Sequence, residues 1–155
     1  YTYSHLYGLK TTGLRFFTVY GPWGRPDMAT YIFSKNIISG QPITVYNNGN
    51  MSRDFTYIDD IIKGVRASIS KNYDCEIFNL SSKQSLNLMY LIQLIEDDLG
   101  LKADVKFKDI QPGDVQNTEA DLYYSEQRLN YFPSVKLESG ILKFLKWFKL
   151  YNFRE

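Results

Sequence analysis

Seven consecutive residues, Leu14 to Tyr20, are almost all apolar, aromatic or β-branched, and they show no alternation between two faces. Such a run suits a strand covered on both sides of a parallel sheet. Gly21-Pro22 stops it. Before it, residues 1–8 read as the last turns of a helix closed by Gly8. After the Gly21–Pro26 loop, Asp27 is expected to cap a helix with Ala29, Phe33 and Ile37 on one face, ended by Gly40 and Pro42. A short strand, Ile43–Tyr46, follows, then a turn at Asn47-Asn48-Gly49-Asn50 and a strand over Arg53–Ile58. Asp59-Asp60 is expected to cap a helix carrying Ile61, Ile62, Val65 and Ile69, with a strand over Glu76–Leu80 behind it. Ser85 then caps the clearest helix, Leu88, Leu91, Ile92, Ile95 and Leu99 at helical spacing with Gly100 at its end. Ala103, Val105 and Phe107 alternate with charged residues as in a half-exposed strand. A helix from Asp121 and one capped by Ser139, with Ile141, Phe144, Leu145 and Phe148 on one face, complete an α/β order.

At 155 residues the chain can bury roughly 70% of its unfolded surface. Its 18 Lys+Arg and 17 Asp+Glu collect in no long run, so bulk electrostatics point to neither nucleic acid nor an anionic membrane. Any anion must be caught by a local site. The lone cysteine, Cys75, excludes an internal disulfide and is expected as a small buried thiol, and the lone histidine, His5, argues against a His-based metal site. No apolar run approaches the roughly 20 residues that span a bilayer, and no charged-then-apolar leader opens the chain, so the expected location is cytoplasmic. An opening helix without its first turn suggests a sequence cut from a longer one. As an isolated piece it would expose the apolar Leu14–Val19 edge, and it is expected to aggregate and to turn over no substrate.

Ligands of open α/β sheets sit beyond the carboxyl ends of buried strands, which points to Thr18, Tyr20 and the Gly21–Pro26 loop. Arg25 and Arg53 lie in a loop and at a strand start. An arginine fork there grips a carboxylate or phosphate, or is simply paired within the protein. Asp114, in Pro-Gly-Asp, either accepts hydrogen bonds from sugar hydroxyls or closes a turn. Thirteen tyrosines and ten phenylalanines, without a basic surface, are read as packing residues. The chain carries no Gly-rich phosphate loop, no Ser-His-Asp set and no metal-ligand cluster.

From Leu14 to Ala29, Leu-Arg-Phe-Phe-Thr-Val-Tyr-Gly-Pro-Trp-Gly-Arg-Pro-Asp-Met-Ala, the sequence closely resembles the extended short-chain dehydrogenase/reductases, within them the nucleotide-sugar epimerases of UDP-glucuronate. Tyr3–Gly8, Arg53-Asp54-Phe55-Thr56-Tyr57-Ile58-Asp59-Asp60, Phe78-Asn79-Leu80, Gln111–Val115 and the Gly140–Trp147 helix follow the family order too. The resemblance implies the last strands of a parallel Rossmann-type sheet plus a small α/β substrate-binding domain. Residues 1–26 would form the edge of the NAD-binding domain and 27–155 mainly the UDP-sugar domain, with about 54–80 returning to the former. The family's glycine fingerprint and catalytic Tyr-x-x-x-Lys pair would lie upstream, leaving no catalytic residue in this chain. On matching positions, the backbone of Tyr20, Gly21 and Pro22 would line the nicotinamide of NAD, Thr18 would face the sugar and its carboxylate, and Arg25 would hold the substrate's anionic part. Thr44, Val45 and Tyr46 would pack against uracil, Arg53 would bind the diphosphate and Asp114 the uridine ribose. Gln111 replaces the arginine of glucose/galactose epimerases, which agrees with the uronate branch. Such enzymes are commonly homodimers. Rival readings are another UDP-sugar epimerase, a dehydratase or a decarboxylase of the same fold, or a non-catalytic UDP-sugar-binding relic.

Overall fold

The computed structural model describes residues 1–152; residues 153–155 of the expected sugar-binding part lie outside the described residues. In chain order the elements are α1 (Thr2–Tyr7), β1 (Thr11–Phe16), β2 (Val19–Tyr20), α2 (Ala29–Ile38), β3 (Ile43–Tyr46), β4 (Ser52–Asp54), β5 (Thr56–Tyr57), α3 (Ile58–Lys71), β6 (Cys75–Leu80), β7 (Ser85–Asn87), α4 (Leu88–Leu99), β8 (Val105–Lys108), α5 (Tyr123–Leu129) and α6 (Leu137–Asn152). Three strand pairs are parallel, β1 with β6, β2 with β5 and β3 with β8, while β4 and β7 are antiparallel. The α/β expectation holds.

Among the described residues two apolar cores form. The larger joins β2, α2, β3, β5, α4 and α6 through residues such as Tyr20, Phe33, Val45, Leu91 and Phe144. The smaller joins Ile61, Phe78, Leu80, Leu122, Leu129 and Tyr131, with Leu14, Phe17 and Val19 against them. Residues 120–131 therefore pack beside the 14–19 and 61–80 segments although the chain from 82 to 119 intervenes.

The expected Leu14–Tyr20 strand is two strands. β6 ends at Leu80, whose carbonyl accepts from Phe17 N–H at 3.1 Å, and one residue on, Thr18 accepts from Thr56 N–H at 2.9 Å. The chain changes partner there, and Thr18 sits at the break. Among the described residues burial on both faces is not realised: Arg15 and Phe16 are exposed, and β1 pairs with β6. The expected Arg53–Ile58 strand splits for the same reason, β4 joining β7 and β5 joining β2, with Ile58 already helical. Cys75 is exposed rather than buried, since it opens the strand at the rim.

Four expected caps move. Asp27 pairs with Arg25, and Met28 takes the cap position of α2. Ser85 belongs to β7, and the Asn87 side chain caps α4, accepting from Met89 N–H at 2.7 Å. Ser139 lies inside α6, its hydroxyl donating to Lys136 C=O at 3.0 Å. Asp59 and Asp60 fall in the first turn of α3 rather than before it.

Asp60, 1% exposed, has a different task. Its carboxylate accepts from the backbone N–H groups of Ser134 and Val135, each at 2.9 Å, and from Lys63 Nζ at 2.6 Å, pinning the loop that leads into α6. Burial alone would raise its pKa, but the bonds from Lys63, Val135 and Ser134 outweigh it and hold the carboxyl below its ordinary value. A carboxyl depressed in the folded state stabilises above its unfolded pKa and loses that contribution as pH falls through the folded one. Unfolding free energy should therefore drop on acidification below about pH 4. Asp60→Asn should cost about 1.5–3 kcal/mol at neutral pH and flatten that acid limb in denaturant titrations; an unchanged limb contradicts the assignment.

Candidate functional site

The Gly21–Asp27 loop lies between two adjoining cavities that share Thr18 and Met28. The first, about 420 Å³, is lined by Tyr20, Gly21, Pro22, Trp23, Arg25 and Ile58 among others. The second, about 480 Å³, contains Thr44, Tyr46, Arg53 and Asp114. The break between β1 and β2, forced by the change of strand partner, is what puts Thr18 at their junction.

In the second cavity the period of a strand decides which side chains face a ligand. Thr44 and Tyr46 line the cavity, whereas Val45 between them is wholly buried in the larger core, so its side chain is not available to a ligand. Arg53 is placed by the β4–β7 pair, opposite Leu86. Its guanidinium donates to Ser52 C=O at 3.0 Å, to Gln116 C=O at 3.1 Å and to the Asp114 carboxylate at 2.8 Å. Asp114 N–H donates to Gln111 C=O at 3.0 Å, so the Gln111–Asp114 turn forms and the same residue also presents its carboxylate to Arg53. The segment carrying it lies along β4, with Ser52 N–H on Gln116 C=O at 2.9 Å and Thr118 N–H on Ser52 C=O at 3.2 Å. A cation and a carboxylate 61 residues apart thus share one wall.

In the first cavity Gly21 has φ +142°, and a Cβ there would stand 2.5 Å from Ile58 Cγ2. Only glycine fits, and it leaves bare backbone facing the space. The Tyr20 ring turns away into the core, edge-on to Tyr57 at 5.5 Å, with its hydroxyl 3.5 Å from Leu137 C=O. Burial raises its pKa well above the ordinary phenol value, with smaller help from Tyr57 and Asp60, so it stays protonated. Arg25 is exposed and forked onto Asp27, its Nε donating at 3.0 Å. That hydrogen bond raises the guanidinium pKa and holds the Asp27 carboxyl below its usual range. Arg25 lines the first cavity and Asp27 the second, so this exposed pair straddles their junction.

All the expected positions thus lie at the two cavities except the Val45 side chain and the Tyr20 ring, both of which are buried in the core. Reading the sequence missed Asn36, Met51 and Leu88 in the second cavity. Asn36 shares α2 with Phe33, and helical spacing could have placed it beside the loop; Met51 and Leu88 arrive through the β4–β7 pairing, which no local pattern reveals. Electrostatically the pair of cavities offers hydroxyls and two arginines, Arg25 and Arg53, each paired with a carboxylate, Asp27 and Asp114, a set suited to an elongated anion bearing hydroxyl groups where that anion shares or displaces the pairs. Among the described residues no group of three or more His, Cys, Asp or Glu could hold a metal, and no helix is long and apolar enough to cross a membrane.

Comparison with known proteins gives a consistent picture. The model of the NAD dependent epimerase/dehydratase family matches residues 1–81. An uncharacterized protein of Methanocaldococcus jannaschii is 54% identical over 148 residues, covering 96% of this chain and 45% of that protein. UDP-glucuronate 4-epimerase 1 of Arabidopsis thaliana is 41% identical over 168 residues, covering 97% of this chain and 39% of that protein. The crystal structure of UDP-glucuronic acid 4-epimerase from Bacillus cereus, in complex with UDP-glucuronic acid and NAD, superposes with a TM-score of 0.89 at 34% identity, over 96% of this chain and 48% of that one. The chain spans about half the length of the relatives it matches, or somewhat less.

Proposed function

Since the chain belongs to the NAD dependent epimerase/dehydratase family, we propose that it is the substrate-binding part of an NAD-dependent 4-epimerase that converts UDP-glucuronate to UDP-galacturonate for surface polysaccharide. The observation that carries the reading is the pair of cavities meeting at Thr18, one edged by bare backbone and the other by the Arg53–Asp114 pair. The similarity to UDP-glucuronate 4-epimerases supports the substrate. In this reading residues 1–26, with about 54–80, border the nucleotide cofactor, and most of the remainder holds the UDP-sugar.

The cofactor fits this chain at one place. At Gly21 Ile58 and the Tyr57 ring leave no room for a Cβ, so bare backbone borders the first cavity, where Tyr20, Gly21 and Pro22 offer polar groups to a carboxamide. NAD bound there supplies a hydride acceptor, and then a donor, at C4 of the sugar. The chain's own residues bind and orient. Arg53 holds the diphosphate, Thr44, Tyr46 and the Val45 backbone pack against uracil, and Asp114 accepts from ribose hydroxyls. Thr18, between the cavities, donates to the sugar or its carboxylate, and Arg25 neutralises that carboxylate by leaving Asp27. Each charge-assisted bond contributes about 1.5–3 kcal/mol.

The test is proton NMR of the complete polypeptide with NAD and either UDP-glucuronate or UDP-glucose. Conversion of UDP-glucuronate to UDP-galacturonate, at least about tenfold faster than any turnover of UDP-glucose, is expected, since one extra charge-assisted contact is worth that much. Preferential turnover of UDP-glucose would make this a neutral-sugar epimerase, and a pentose product would make it a decarboxylase.

A further inference from the structure

Trp23 has φ +63°, a left-handed conformation that bulky side chains rarely adopt. The neighbouring turn residues, Gly21 and Gly24, are glycines, yet the position between them that most needs one is a tryptophan. Within residues 1–152 the ring is 73% exposed. What it has is a specific set of aromatic contacts on α6. It meets Tyr151 edge-on with centroids 5.0 Å apart and Trp147 tilted at 5.5 Å, and those two stack on each other at 5.2 Å.

The contacts follow one stripe of the helix. Gly140, Phe144, Trp147 and Tyr151 recur at helical spacing on one face. At its start Gly140 accepts the Tyr20 ring so closely that a Cβ would lie 2.0 Å from the hydroxyl. At its end Trp147 and Tyr151 accept Trp23. The same face of α6 therefore holds the chain just before the loop and again within it, across the stretch that contributes Gly21, Pro22 and Arg25 to the first cavity.

From this geometry we infer that Trp23 is a positioning residue, its ring latching the Gly21–Asp27 loop to α6 and so setting the walls that the two cavities share. The strained backbone is the mark of that role, since the αL turn aims the ring at the helix. Trp23 acts through the loop and is not a catalytic residue. The effect on turnover rests on the epimerase reading; the latch itself does not.

The experiment compares Trp23→Ala, Trp23→Gly, Tyr151→Ala and Trp23→Ala with Tyr151→Ala in the complete polypeptide. It reads hydrogen exchange of the peptide covering residues 20–28, thermal stability, and kcat and KM. A latch makes exchange at least about tenfold faster in every variant, with Tm nearly unchanged, and the double variant no faster than Trp23→Ala alone. Trp23→Gly, which removes the strain and the ring together, should be as loose as Trp23→Ala. Turnover should fall about ten- to a hundredfold in kcat/KM through loss of loop placement, Tyr151→Ala included although it touches neither cavity. Parent-like exchange in Trp23→Gly would show that the turn alone places the loop, and parent-like exchange in Trp23→Ala would show that the ring's contacts with Trp147 and Tyr151 do not hold it; either overturns the latch. Should the parent convert no UDP-sugar, the exchange data still decide the latch, and the epimerase reading alone falls.

Discussion

Replacing Arg53 by alanine in the complete polypeptide raises KM for the UDP-sugar about ten- to a hundredfold and leaves kcat within about threefold of the parent. The guanidinium is held by two backbone carbonyls and the Asp114 carboxylate, so it is preorganised on the cavity wall before any ligand arrives. Diphosphate contacts are similar in the ground and transition states, so their loss appears in KM. The pair is partly exposed, and the cost in stability is small, about 1 kcal/mol or less. Arg53→Lys should recover little of the binding, because an ammonium cannot span two acceptors as the planar fork does. Steady-state kinetics check this, and a variant with parent KM would remove Arg53 from the substrate site.

The second large effect is structural. Gly21→Ala should lower stability by about 3 kcal/mol or more, combining a strained positive φ with overpacking. The new Cβ would stand 2.5 Å from Ile58 Cγ2, 3.1 Å from Ile58 Cβ and 3.3 Å from the Tyr57 ring. Both neighbours belong to the segment that pairs with β2 and opens α3, so relief must come from moving the loop. A drop in Tm of roughly 10 °C is expected for a chain of this size, together with weakened NAD binding. Gly8→Ala is a useful control, because its φ is also positive but nothing lies within 4 Å of an added Cβ. Equal losses in the two variants would show that φ alone matters and that the Ile58 contact does not.

How much of this was visible beforehand depends on the range of the interaction. β3, the left-handed stop at Gly8 and the face of α4 were legible because turn residues and apolar periodicity act over a few residues. The alternation of β3 even contains the distinction between Thr44 and Tyr46 at the cavity and Val45 in the core. The divided strands were not legible. Nothing local in Leu14–Tyr20 tells that its partner ends at Leu80 and that a different strand takes over at Thr56. The misplaced caps fail for a related reason: Asp27 and Asp60 have the right chemistry for an N-cap, but Arg25 in one case and the Ser134–Val135 backbone in the other compete for the carboxylate. Arg53 and Asp114 were singled out separately by type and by family pattern, whereas their pairing needed the strap along β4 to be seen.

The central claim is that the two cavities meeting at Thr18 form one site for an NAD-dependent UDP-sugar enzyme, and ligand-dependent hydrogen exchange of the complete polypeptide tests it most directly. With NAD and UDP-glucuronate together, protection is expected in the peptides carrying Thr18–Pro22, Thr44–Tyr46, Arg53 and Asp114, and UDP alone should protect only the last three. Protection confined to other regions, or none at saturating ligand, would contradict the assignment.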